Sequence, residues 1–262
     1  MKAKSYTEIN AETWDQWAAG GIEWSIPVTP EEVRRAREGE WNVFLTPCVP
    51  VPKEWFGALK GKKLLGLASG GGQQMPIFAV LGAQCTLLDY SDAQLEADRA
   101  VAEREGCSIK IVKGDMTKRF PFPDESFDCI FHPVSNCYVE DVQHVWNECF
   151  RVLKPGGTLL AGMDNGLNFL FEDICRLPLT VANALPFNPL KMESERLEEM
   201  VCNGEGVQFS HSLEEQIGGQ LKAGFRLCEL FEDRDRPGDC RLRDFAPQYF
   251  ATRSIKEPRT VQ

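Results

Sequence analysis

No stretch of this 262-residue chain reaches the roughly 18 consecutive apolar residues of a membrane-spanning helix. The opening MKAKSYTEIN lacks the apolar core of an export signal, so a cytoplasmic chain with no membrane partner is expected. Its ten cysteines stand singly and never as C-x-x-C, which signals neither a zinc site nor a thioredoxin-like motif. No metal is expected, and the thiols are expected to be reduced and buried as small hydrophobes. Lysine and arginine number 29 against 39 aspartates and glutamates, a net charge of −10 with no basic run. That balance opposes nucleic acid and anionic lipid, both of which need clustered cations. Internal repeats and low-complexity tracts are also missing. What is left is a globular composition, 43% hydrophobic and 26% charged, whose partner is expected to be small or neutral.

The first sixty residues differ in character from the rest. Trp14, Trp17, Trp24 and Trp41 crowd there, ahead of the stretch TPCVPVPKEW. Pro47, Pro50 and Pro52 exclude regular helix, so residues 1–60 read as an N-terminal cover followed by an extended connector. From Lys62 onward, short apolar runs (LLGLA, CTLLDY, IKIV, FDCIF, TLLAGM) have the look of buried parallel strands. Helical periods separate them. Ser91 caps one, with Ala93, Ala97, Ala100 and Val101 as its stripe. In another, Val142, Val145, Trp146, Cys149, Val152 and Leu153 share a face, and Lys154-Pro155-Gly156 stops the helix. A third follows Ser212, with Glu215 completing its cap and Leu213, Ile217 and Leu221 as its stripe.

Strand–helix alternation predicts a doubly wound parallel α/β sheet over residues 61–262. The last two strand candidates, FRLCELFED and FAPQYFATRSI, have no helical pattern between them, which predicts an antiparallel final strand. Residues 165–208 form an insertion after the fifth strand, apolar and broken by prolines, suited to a substrate lid or a dimer contact.

In such a sheet the ligand crevice lies at the carboxyl ends of the strands. The first strand runs into Ser69-Gly70-Gly71-Gly72, where glycine lets a ligand approach the backbone. Asp89 ends the second strand, where a carboxylate can accept both ribose hydroxyls of an adenosine. Asp115 and Met116 follow the third strand, suited to the adenine amino group and ring.

Glycine loop, Asp89, Gly114-Asp115, Pro123-Asp124-Glu125-Ser126-Phe127-Asp128 and Arg151-Val152-Leu153-Lys154-Pro155-Gly156-Gly157 together resemble the class I S-adenosylmethionine-dependent methyltransferases. The likeness is greatest to the small-molecule branch that includes ubiquinone and menaquinone methyltransferases. It runs from about Lys62 to Asn165 and implies a Rossmann-like sheet of seven strands, the last antiparallel. It also implies S-adenosylmethionine as cofactor, with S-adenosylhomocysteine as product, and a small-molecule methyl acceptor. Ala68, Ser69, Gly70, Gly71, Gly72, Gln73, Asp89, Tyr90, Asp115 and Met116 would then bind the cofactor. Two positions depart from the pattern: Gly66 stands where members carry an acid, and Ala68 where they carry the first loop glycine.

In that fold the loop holding His132, Ser135 and Asn136 faces the transferred methyl group. His132 is accordingly an acid/base candidate, or else a cofactor wall or a packing residue; Ser135 and Asn136 are candidate substrate contacts, as are Trp14 and Trp17 of the cover. His144 is expected to face solvent, and His211 to be structural. Two other functions fit the loop and the acid. One is a nicotinamide-dependent oxidoreductase, which requires a parallel sixth strand; the other is a non-catalytic binding module that retains the fold.

Overall fold

The computed structural model describes residues 4–238 and 240–258, so Met1–Ala3 of the opening stretch lie outside the described residues. Two capped helices come first. At α1 (Tyr6–Ala19) the Ser5 hydroxyl accepts from the Glu8 N–H while the Glu8 carboxylate accepts from the Ser5 N–H. Thr29 and Glu32 do the same at α2 (Pro30–Arg37). These reciprocal bonds satisfy N–H groups that a helix start leaves without partners. The Pro-rich connector follows, free of helix except for one tight turn at Lys53–Trp55.

Alternation then begins with β1 (Lys63–Leu67), α3 (Gln74–Val80), β2 (Gln84–Asp89), α4 (Asp92–Glu105) and β3 (Ile109–Lys113). It continues with β4 (Phe127–His132), α5 (Val142–Val152), β5 (Leu153–Asp164) and the short α6 (Leu167–Leu170). The chain ends through α7 (Ser194–Cys202), α8 (Gly219–Ala223), β6 (Phe225–Asp233) and β7 (Tyr249–Lys256). One seven-stranded sheet forms in the order β3-β2-β1-β4-β5-β7-β6. The first five strands pair in parallel, while β7 lies antiparallel between β5 and β6. This is the sheet expected from the sequence, and its edge is not the all-parallel one that a nicotinamide-dependent enzyme requires.

Successive strand residues feed two cores. Leu64, Leu87, Phe131 and Leu160 pack with Phe56, Ile77, Phe78 and Leu95 on one face. Leu65, Leu88, Ile130 and Leu159 pack with Val142, Val145, Trp146 and Cys149 on the other. Both faces are covered, which is why the strands read as continuous apolar runs. Val43, Leu45, Val51 and Trp55 of the connector belong to the first core. Gly162 of β5 makes room for them, since a Cβ there would stand 2.0 Å from the Leu45 carbonyl oxygen. Asp233 at the end of β6 holds the connector by accepting the N–H groups of Cys48 and Val49 at 2.7 and 2.9 Å.

Four expectations are corrected. The α5 helix ends at Val152, and Lys154-Pro155-Gly156-Gly157 lies within β5, whose Leu153 already pairs with Phe127. The inward face of α4 is Gln94, Leu95, Asp98, Val101 and Ala102, with Ala100 exposed, because this helix backs the glycine loop with polar groups. After Ser212 the expected cap forms, yet Leu213 and Leu221 are 58% and 51% exposed. A wide turn over Glu214–Gly218 rotates Gln216, Gly219 and Gln220 inward, where Gln220 bonds to Thr252 and Ser254 of β7. Finally, Cys175 and Cys202 are exposed, on the insertion and α7, where burial was expected. Among the described residues no helix is long and apolar enough to cross a membrane.

Candidate active site

The β1 strand delivers the chain into the glycine loop, and β2 ends beside it at Asp89. Asp89 Oδ2 accepts the Gly70 N–H at 3.0 Å and Oδ1 accepts the Ser91 N–H at 3.1 Å. A side chain at residue 70 has no place, because a Cβ would come within 2.7 Å of Gln94 Cβ and 3.0 Å of Asp89 Oδ2. Gly71, at φ +107°, takes a left-handed turn that favours glycine and donates its N–H to the Gln94 carbonyl at 3.1 Å. Next, the Gly72 N–H donates to Asp98 Oδ2 at 2.9 Å. Burial pushes both carboxyls above the usual aspartate range, Asp98 to about 7, although N–H donors pull the other way.

The N-terminal cover closes over this loop. Asp15 of α1 accepts the Ser91 hydroxyl at 2.6 Å and the Ala93 N–H at 3.0 Å, adding a second cap to α4. The Gln73 side-chain amide donates to the carbonyls of Glu23 and Ile26, both at 3.0 Å. On its other side, α1 is tied to the insertion. Asn10 and Val207 exchange two hydrogen bonds at 2.9 and 2.7 Å, and Trp17 Nε1 donates to the Gly204 carbonyl at 3.1 Å.

Beneath the cover lies one cavity of about 890 Å3, over the carboxyl ends of the central strands. Ala68, Ser69, Gly70, Gln73, Asp89, Tyr90, Asp115 and Met116 line it, as do Trp14 and Ser135. Gly71, Gly72, Trp17, Asn136 and His132 do not. Gly71 and Gly72 bond back to α4, and the Trp17 ring packs edge-on against Trp14 at 5.2 Å.

His132 is fully buried behind the wall. Burial lowers its pKa, and the neutral ring lies with Nδ1 3.0 Å from the Leu67 carbonyl oxygen and Nε2 2.8 Å from Asn136 Oδ1, so that its one N–H donates to one of these two oxygens. Asn136 in turn reaches Gln216 at 2.8 Å. The geometry thus gives His132 and Asn136 a structural place, tying β1, β4 and the turn before α8. His211, fully enclosed, donates to the carbonyls of Asn136 and Val139 and is structural, as expected. His144 is half-buried rather than solvent-facing, with its Nε2 enclosed.

The far end of the cavity was not foreseen. Phe44 and Thr46 of the connector, Tyr138 after β4, Asp164 at the end of β5, Asn168 and Phe169 of the insertion, and Tyr249 of β7 meet there. Asp164 is 3% exposed; its Oδ1 accepts the Gly166 N–H at 3.0 Å, and its Oδ2 has no partner. Burial raises its carboxyl to about 6. Tyr249 is its cross-strand partner, and the Tyr249 hydroxyl accepts from Asn168 Nδ2 at 3.0 Å. The Tyr138 ring meets Trp14 edge-on at 5.7 Å. Asp164 carried a signal: like Asp89, it is an acid closing an apolar run at a strand end. The aromatic residues come from distant segments and had none.

The RVLKPGG stretch lies away from the cavity. Arg151 donates to Glu148, Asp124 and the Phe120 and Phe122 carbonyls, while Lys154 pairs with Asp128 at 2.7 Å. It locks α5 and β5 to the segment entering β4.

The methyltransferase domain family matches residues 65–161. Over 250 residues the chain is 42% identical to the uncharacterized methyltransferase YbaJ of Bacillus subtilis (strain 168), covering 94% of this chain and 97% of that one. It is 34% identical over 125 residues to the ubiquinone/menaquinone biosynthesis C-methyltransferase UbiE of Cronobacter sakazakii, covering 46% and 47%. Among solved structures, an S-adenosylmethionine-dependent methyltransferase from Mesorhizobium loti superposes with a TM-score of 0.59 at 17% identity, covering 78% of this chain and 94% of that one.

Proposed function

We propose, for a chain that belongs to the class I S-adenosylmethionine-dependent methyltransferases, that the methyl acceptor is a small molecule enclosed between the α1 cover and the insertion. S-adenosylmethionine is the cofactor, and when bound it supplies an electrophilic methyl group on a sulfonium sulfur. The residues present fit it. Ala68, Ser69 and Gly70 of the loop line the cavity, and the buried Ser69 hydroxyl there has no partner among the described residues. Asp89 spends two acceptor positions on N–H groups, and a carboxylate has about four. Ala68, Ser69, Gly70, Asp89, Tyr90, Asp115 and Met116 are the proposed cofactor contacts, and Asp89 would accept the ribose hydroxyls. Gly66 leaves no room for the family's acid, because a Cβ there would stand 2.4 Å from Met75 Sδ and from Ser69 Oγ. Polar contacts to the amino-acid end of the cofactor therefore fall to Ser69 and the loop backbone.

One observation carries the small-molecule reading. The cavity that contains the glycine loop and Asp89 continues to Asp164, Asn168, Phe169 and Tyr249 under a single roof. Its volume, about 890 Å3, lies within the roughly 300–1,000 Å3 of small-ligand sites. Enclosure excludes bulk water and aligns donor with acceptor, which is most of what methyl transfer requires. Incubation with methyl-labelled S-adenosylmethionine and a fractionated cell extract tests the reading. Label in the low-molecular-mass fraction supports it; label only in protein or nucleic acid contradicts it.

A further inference from the structure

Asp164 is a buried carboxylate on the cavity wall, with one oxygen that nothing among the described residues binds. One oxygen is held by the Gly166 N–H, and the other has no partner among the described residues. Of the charged side chains among the described residues that line the cavity, Glu32, Asp89, Asp115 and Asp164 are acids, and Arg236 is the single cation. Arg236 is engaged elsewhere: it pairs with Glu23 and lies 4.7 Å from the centre of the Trp24 ring. An acceptor bearing a carboxylate or phosphate would meet excess negative charge at this wall. A cation would meet compensation, because a buried carboxylate without a partner gains most from a desolvated positive charge. The walls beside Asp164 add to this. Tyr249 faces it across the strand pair, and Tyr138 and Trp14 continue the aromatic surface, whose ring faces attract an ammonium group.

Resting on the methyltransferase reading above, we infer that the acceptor is an amine on an aromatic or apolar frame, its nitrogen seated at Asp164, which takes the proton that must leave before methylation. An ammonium has no free electron pair and cannot attack carbon. The Asp164 carboxylate takes one N–H proton; the nitrogen pair so freed forms the N–CH3 bond. The electron pair of the broken C–S bond stays on sulfur, and the product is the N-methylammonium. Burial supports the role, because it raises the Asp164 carboxyl to about 6, close enough to neutrality for the group to hold a proton and then release it. His132, enclosed behind the wall with both ring nitrogens engaged, is not available for this step.

Calorimetry on the full chain saturated with S-adenosylhomocysteine tests the inference. The probes are 2-phenylethylamine, tryptamine and hexylamine, each beside the alcohol and the carboxylic acid of the same skeleton. At least one amine is expected to bind about tenfold or more tighter than its alcohol, with the carboxylic acids weakest. Asp164→Asn, whose side-chain oxygen can still accept the Gly166 N–H, is expected to erase that preference while leaving S-adenosylhomocysteine affinity unchanged. Equal or weaker binding of every amine relative to its alcohol overturns the inference and leaves the methyltransferase reading standing. Loss of S-adenosylhomocysteine binding by the wild-type chain overturns both. The amine–alcohol comparison is made in the wild type, so it decides the matter even if the variant does not fold.

Discussion

Asp89 accepts the Gly70 N–H at 3.0 Å, so the acid ending β2 and the glycine loop after β1 form one hydrogen-bonded unit. Replacing Asp89 by Ala removes both the proposed ribose contact and a brace of the loop. S-adenosylhomocysteine affinity is expected to fall about 10- to 100-fold, and stability by about 1–3 kcal/mol, as two N–H groups lose their acceptor. Asp89→Asn keeps one acceptor oxygen and is expected to fall between wild type and Ala in both measurements. Wild-type affinity in Asp89→Ala would remove Asp89 from the cofactor site.

Asp98 ties α4 to the loop through the Gly72 N–H, and burial raises its carboxyl from the ordinary 3.8 to about 7. The folded state thus holds a proton that the unfolded state releases near pH 4. Stability from this group is full below pH 4 and falls as pH rises toward 7. Between pH 5 and pH 8 the decline amounts to about 2–3 kcal/mol. Asp98→Asn keeps an acceptor for Gly72 without the charge, and urea midpoints are expected to vary less with pH by about that amount. An unchanged slope in the variant would show that Asp98 ionises normally.

Asn10 and Val207 exchange two hydrogen bonds, fastening the α1 cover to the end of the insertion. Asn10→Ala leaves the Val207 N–H and carbonyl without partners in a buried place, which costs about 1–3 kcal/mol locally. Amide exchange is expected to rise in α1 and around residues 204–210, with little change in β1 to β5. Exchange that rises uniformly would mean that the cover and the sheet open as one unit.

Arg151 bonds to two carboxylates and two carbonyls on the segment before β4 and on α5, outside the cavity. Arg151→Met is expected to lower stability by about 2–4 kcal/mol, because Glu148 loses its cation while partly buried. At a temperature where the variant is folded, S-adenosylhomocysteine affinity is expected to match wild type. A weakened affinity there would assign RVLKPGG a part in cofactor binding.

Much of this was legible beforehand because it depends on local pattern. Apolar runs closed by Asp89, the cap at Ser91 and the helix-free link before β7 fix elements and topology at short range. The half of the cavity with the glycine loop and Asp89 follows from the same features, since loop and acid belong to consecutive strands. The other half does not. Tyr138, Phe169 and Tyr249 join Trp14 only after the sheet is assembled, and no spacing announces that. The burial of His132 was not legible, because a strand-end position says which end of the sheet a residue occupies, not which face; its ring turns toward Trp146 in the core, with centroids 6.0 Å apart. The stripe after Ser212 failed for a related reason. A wide turn shifts the helical phase, and the buried face is polar, made of Gln216 and Gln220.

Calorimetric titration of the intact chain with S-adenosylhomocysteine, beside NADH under the same conditions, tests the central claim most directly. One molecule of S-adenosylhomocysteine per chain, with a Kd on the order of ten micromolar and no heat from NADH, is the expected result. No binding of S-adenosylhomocysteine, or preference for NADH, would contradict the assignment of the glycine loop and Asp89 to the methyl donor.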